Sequence, residues 1–228
     1  MYDTHTHLQE TVYDSFRMAY LDDLYDSGVK EVMIASYDIP SSSKAFQIKT
    51  SYTGPLKLHI AAGIHPSYIE ENPVDELEKY IIEADAVGET GLDFRTGMPD
   101  KEKQKASFEA QLKLCEKYKK PVLIHSVKAC DETLKMLKAH PDVSGIMHGF
   151  SYSPEAAKQF IDLGFKIGIG SMLLNPKARK IKEVVKLVPA EHLVIETDCP
   201  FGIEENSTAL KHAEILKQIK DKIENKLN

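Results

Sequence analysis

The chain has 228 residues, 42% hydrophobic and 28% charged, with a formal net charge of −6 at pH 7, which suits a compact barrel-sized domain and excludes a disordered chain. No apolar run approaches the ~18 residues of a membrane span, and the N-terminus lacks the basic-then-apolar pattern of a signal peptide. An acidic chain has no global field to attract a polyanion, so such a substrate requires a local positive site such as bound metal.

Short β-rich runs alternate with longer amphipathic segments along the whole chain. Tyr2–Thr6 is the first predicted strand and carries Asp3-Thr4-His5-Thr6-His7. Residues two apart on a strand share a face, so His5 and His7 project together, with Asp3 deeper on the same parity. Glu31–Ser36 and Lys57–Gly63 are the second and third strands, and His65 follows the third. Asp85–Gly91 is the fourth and bears Glu89 between Gly88 and Gly91, which permit close backbone approach. A carboxylate after an apolar run needs a partner; Arg95 is one candidate and a pair of bridged metals the other. Lys101–Tyr118 reads as a helix with Phe108, Leu112, Cys115 and Tyr118 on one face.

Pro121–Ser126 ends near His125 and Ser144–Gly149 near His148. Ser153 caps the next helix, Pro154 occupies its first position and Gly164 ends it. Phe165–Gly170 is the weakest strand signal. Leu193–Asp198 is the last strand, with Asp198 at its end and Glu196 one layer deeper. Leu210, Ala213, Leu216, Ile219, Ile223 and Leu227 form a stripe on the final helix.

Eight strand–helix units predict a closed α/β fold, a (β/α)8 TIM-type barrel, as a single domain over 1–228. His5, His7, His65, Glu89, His125, His148 and Asp198 then fall at carboxyl ends of strands, where barrel enzymes build their active sites. His59, His140, His192 and His212 fall elsewhere and read as structural or surface residues. Four histidines and two carboxylates (His5, His7, His125, His148, Glu89, Asp198) exceed the four ligands of a closed structural zinc site. They suit two divalent ions sharing Glu89, with positions left open for water. The nitrogen-rich set favours zinc, manganese or iron without excluding magnesium. Cys115, Cys130 and Cys199 form no CxxC pair, which points to a reducing cytoplasm.

These segments resemble the TatD family of metal-dependent deoxyribonucleases, within the barrel amidohydrolase superfamily. The resemblance rests on Asp3-Thr4-His5-Thr6-His7-Leu8, Gly63-Ile64-His65-Pro66, Val87 through Asp93, Pro121 through Ser126, His148-Gly149-Phe150-Ser151 and Glu196 through Phe201, in the family's order over nearly the whole chain. It implies that His5, His7 and Asp198 bind one metal and His125 and His148 the other, with Glu89 shared. It also implies that Asp198 accepts the proton of the attacking water, and that His65 lies near the substrate without binding a metal directly. The chain departs from the family pattern at Val127-Lys128, where Arg-Asp is usual, and at Gly149, where cysteine is usual. It also ends soon after the eighth strand, so one rim of the mouth is expected to be more open.

The expected activity is metal-dependent hydrolysis of a phosphodiester in DNA or an oligonucleotide by a metal-bridging hydroxide, with catalysis assigned to Asp198 and Glu89. His65 and Lys128 are the candidate substrate contacts. Arg95, Lys177, Arg179 and Tyr152 are further loop residues within reach of phosphate. No basic stripe or aromatic interleaving favours long duplex, so single-stranded ends are expected. No protein partner is called for. The same two ions would serve cleavage of an amide, lactone or small phosphoester. A non-catalytic metal-binding module is the third reading, and it has no need of an open dinuclear site.

Overall fold

A computed structural model of the protein describes residues 1–202 and 207–226. Eight strands run β1 Tyr2–Thr6, β2 Glu31–Ala35, β3 Lys57–Ala62, β4 Ala86–Asp93, β5 Val122–Val127, β6 Gly145–Met147, β7 Phe165–Ile169 and β8 Leu193–Ile195. The principal helices are α1 Arg17–Asp26, α2 Ile39–Ser51, α3 Val74–Ile81, α4 Lys101–Tyr118, α5 Cys130–Lys138, α6 Pro154–Asp162, α7 Arg179–Leu187 and α8 Ala209–Glu224. The strands pair in chain order, all parallel. The ring is drawn together where the chain leaves β8: Asp198 N donates to His5 O at 3.0 Å and His7 N to Cys199 O at 2.7 Å. The expected (β/α)8 barrel is therefore the fold. Among the described residues no helix is long and apolar enough to cross a membrane.

Alternation along the strands sorts the side chains into two layers. Met33, Ala35, Ala61, Ala86 and Leu123 pack together with Tyr2 and Ile146 inside the ring. Their neighbours Val87, Val122 and Ile124 point outward and pack against helical residues such as Phe108 and Phe160. The α4 face falls where its periodicity places it, with Phe108, Leu112 and Cys115 buried. Ser153 Oγ accepts from Ala156 N at the start of α6, Pro154 is its first residue, and Gly164 turns the chain away at φ 90°.

The expectations miss in five elements. The β4 strand extends to Asp93, whereas β6 and β8 stop early, leaving His148 and Asp198 on the loops beyond them. In α8, Leu210 is exposed, and Ala209 and His212 take the buried positions of the first turn; Leu227 lies outside the described residues. Asp3 is not a deeper neighbour of His5 on the same side. Between Asp3 and Thr6, β1 holds one residue more than β2: Asp3 pairs with Val32 and Thr6 with Ile34. That bulge reverses the parity, so Asp3 faces α8 while His5 and His7 face inward.

The same irregularity occurs in β4, where Val87 pairs with Val122 but Thr90 with Ile124. Plain alternation would put Glu89 on the outer side with Val87; the extra residue turns it inward, with Gly91 and Asp93. Gly88 lies within the bulge and Gly91 just after it, both at φ 139°, a conformation L side chains rarely adopt. A Cβ on Gly91 would lie 2.0 Å from His125 O.

Candidate metal centre

The two bulges and three loop ends bring His5, His7, His65, Glu89, His125, His148 and Asp198 to one mouth of the barrel. His5 Nε2 and His7 Nε2 face each other at 3.2 Å. Glu89 Oε2 lies 3.3 Å from the first and 3.6 Å from the second, and Asp198 Oδ1 lies 3.8 Å and 3.1 Å from them. The other oxygen of Glu89 faces a different pair: Oε1 is 2.9 Å from His125 Nδ1 and 4.0 Å from His65 Nε2. Glu89 thus stands between two sets of imidazoles, one on each oxygen.

Three overlapping groups have ligand atoms within 4.8 Å of one another: His5, His7 and Glu89; His5, His148 and Asp198; His65, Glu89 and His125. His148 stands with His5, their rings stacked at 3.4 Å between centroids, and His125 stands with His65. The resemblance had set His148 beside His125. Two imidazole nitrogens and two carboxylate oxygens converging on one buried point are the donor set of a divalent cation, and such ions fit the site.

Outer polar contacts orient the rings. His7 Nδ1 lies 2.8 Å from Ala35 O, so it carries the proton and leaves Nε2 as the lone pair. His148 Nδ1 stands 3.1 Å from Glu196 Oε1, which also accepts from Gly149 N at 2.7 Å. His65 shows the opposite pattern. Its Nδ1 accepts from Ser67 N at 3.1 Å, so in the neutral ring Nε2 holds the proton and acts as a donor. Burial pushes its pKa down to about 4, which keeps it neutral at pH 7.

Burial alone would raise Glu89, but the neighbouring His5 and His125 outweigh it and hold the carboxyl well below its usual range. Burial likewise opposes ionisation of Asp198, and His7, His148 and His5 outweigh it, so its pKa is lowered. His148 is pushed up to about 10: burial opposes the charge, and Glu196, then Asp198 and Glu89, overcome it.

Asp93 is a member of the cluster that motif reading passed over. Fully buried, it lies 3.2 Å from His125 Nε2 and accepts from Arg95 Nε at 2.9 Å. Arg95 therefore pairs with Asp93 rather than Glu89. The signal was present, since Glu89, Gly91 and Asp93 alternate on one face after the bulge. Lys128 is exposed, at φ 54°, and outside the cavity lining. The Tyr152 hydroxyl is engaged with Ser126 and Ala129.

Beneath the mouth a buried pair ties α8 to the barrel. His212 Nε2 lies 2.7 Å from Asp3 Oδ2; Asp3 also accepts from Thr197 Oγ1 at 2.6 Å, and its Oδ1 from His5 N at 3.2 Å. Burial opposes the imidazolium, yet the Asp3 hydrogen bond helps push His212 up to about 9. A raised pKa stabilises the fold fully below about pH 6.5 and loses that contribution as pH rises through about 9. His212→Gln should therefore cost about 3 kcal/mol at pH 6. The cost should shrink steadily toward pH 9.5, as read by urea denaturation of both proteins; a pH-independent difference would contradict the charged pair.

The family model described as TatD related DNase matches residues 2–227. The chain is 32% identical to a protein named uncharacterized metal-dependent hydrolase YjjV from Escherichia coli (strain K12), over 87% of this chain and 78% of that protein. A crystal structure of that E. coli TatD homologue superposes with a TM-score of 0.85 at 27% identity, covering 100% of this chain and 94% of the other. The chain is also 29% identical to a Klebsiella pneumoniae (strain 342) protein named 3'-5' ssDNA/RNA exonuclease TatD, over 77% and 68% of the two chains. With its motifs in order, its barrel in common and the family match running from the first strand to the end of the last helix, the chain belongs to the TatD-related DNase family.

Proposed function

We propose that this chain is a divalent-metal-dependent hydrolase whose substrate is a phosphodiester at the end of a single nucleic-acid strand. The observation that carries the reading is Glu89, a buried carboxylate with each oxygen facing its own histidines. That is the arrangement for holding two ions side by side. The residues proposed to hold them are His5, His7, His125, His148, Glu89 and Asp198. Such ions, when bound, polarise a phosphoryl oxygen and make water acidic enough to attack. The family and the name of the Klebsiella relative support nucleic acid as substrate.

The chain's own groups have separable tasks. Asp198 is the one carboxylate of the cluster whose side chain is a third exposed; it stays ionised and is placed to accept the proton of the attacking water. His65, neutral with Nε2–H toward the cavity, donates to a phosphoryl oxygen. Glu196 and Asp93 hold the rings of His148 and His125. Lys128, one residue past β5, is the cation proposed to meet a phosphate further along the strand. The mouth is a cavity of about 220 Å³, which suits a strand end better than the side of a duplex. We place the protein in the cytoplasm and assign it no obligatory partner.

The test is a labelled oligonucleotide assay with manganese, magnesium or zinc, and chelator as control. A protruding single strand should be shortened in the presence of metal and a blunt duplex much more slowly. Hydrolysis of a lactone or amide by a preparation that cleaves no strand form with any metal would replace the nuclease reading.

A further inference from the structure

The mouth carries a second surface that the metal cluster does not use. Tyr37 follows β2, and Tyr68 closes the short helical turn Pro66–Tyr68 that follows β3. Their rings stack at 4.9 Å with 27° between planes. The Tyr37 hydroxyl donates to Glu10 Oε1 at 2.6 Å, which fixes the inner ring of the stack. Tyr68, the outer ring, keeps 38% of its surface exposed. On the β8 side, Phe201 follows Asp198 by three residues, lies 5.2 Å from the His7 ring and is 63% exposed. All three aromatic residues line the same cavity as His7, His65 and Asp198.

Single exposed apolar residues are ordinary. Three aromatic rings around one small cavity, beside a cluster built for charged chemistry, are a composed surface. Among the described residues no lysine or arginine lines that cavity. Any positive charge the protein brings to an anionic substrate there comes from the imidazoles of the cluster and not from a long cationic side chain. Beyond the metal cluster and the polar groups beside it, what the cavity offers a ligand is flat aromatic area. A flexible aliphatic acyl chain has no plane to match these faces, whereas a nucleobase stacks on them whatever its identity.

We infer that Tyr68, backed by Tyr37, and Phe201 form a stacking subsite for the base of the terminal nucleotide whose phosphodiester meets the metal cluster. The inference rests on the phosphodiester reading and adds what the enzyme recognises: the base, by its plane rather than its edge. Sequence preference should accordingly be weak, and a strand end lacking its base should be a poor ligand.

The test is calorimetric titration of the metal-loaded protein with deoxyadenosine 5′-monophosphate and with 2-deoxyribose 5-phosphate, which share the phosphate and differ in the base. The nucleotide should bind roughly five- to one-hundred-fold more tightly, the range of one stacked base. Tyr68→Ala and Phe201→Ala should each remove most of that ratio by weakening the nucleotide alone. Tyr68→Leu, which keeps bulk without a π-face, should behave as Tyr68→Ala does and guards against a folding artefact. Equal affinities for the two probes, or a ratio that survives both alanine substitutions, would overturn the subsite. The outcome separates from the hydrolase reading. Base-dependent binding without strand cleavage keeps the subsite and removes the nuclease; cleavage without base dependence does the reverse.

Discussion

Glu89→Gln should strip the protein of metal and of activity together. The side chain is 5% exposed, and its two oxygens are shared between His5 and His7 on one side and His125 and His65 on the other. No other carboxylate in the cluster faces both sets. Glutamine keeps the volume, so packing in β4 is spared. It removes the negative charge at the centre of the imidazoles and turns one acceptor into a donor aimed at nitrogen lone pairs. Metal content of the purified variant should fall from as many as two ions per chain toward none. Activity should drop by more than about 100-fold, since disturbing even the outer partners of metal ligands costs 10- to 100-fold. Elemental analysis beside the oligonucleotide assay reads both effects, and a circular dichroism spectrum checks the fold. A variant that retains two ions and normal turnover would remove Glu89 from the bridging role.

Asp198→Asn should separate holding the metal from using it. Asp198 sits at φ 57°, a left-handed conformation that asparagine shares with aspartate at little cost. The backbone bond from Asp198 N to His5 O, which helps draw the ring together, is also kept. Asparagine retains an oxygen toward His7 but cannot take up a proton. The loss should therefore fall on kcat, by about 100- to 10,000-fold, with KM and metal content changed far less. Near-normal kcat at matched metal occupancy would assign the proton to another acceptor.

The barrel was legible because its strands and helices keep their periods: eight apolar runs became eight strands, the weak Phe165–Gly170 signal included. The ligand-type residues were legible because they close those runs. Alternation failed where the chain breaks it. In β1 and β4 one inserted residue turns Asp3 outward toward His212 and Glu89 inward toward the histidines. A period-2 reading cannot place an insertion; in β4 the glycines around Glu89 were the only local hint. Tyr37, Tyr68 and Phe201 stayed hidden for a different reason. They lie 31 to 164 residues apart, and only closure of the ring brings them to one cavity. Leu210 shows a smaller failure: a phase error of one residue at the start of α8 moves a side chain from core to surface.

Glu89 is proposed to lie between two divalent ions held by the histidines and Asp198. Anomalous scattering from crystals soaked in zinc or manganese tests it most directly. Two peaks are expected, one on each oxygen of Glu89, with ligand atoms drawn in to about 2.0–2.2 Å. A map with no peak beside Glu89, or with its only peaks away from the barrel mouth, would contradict it.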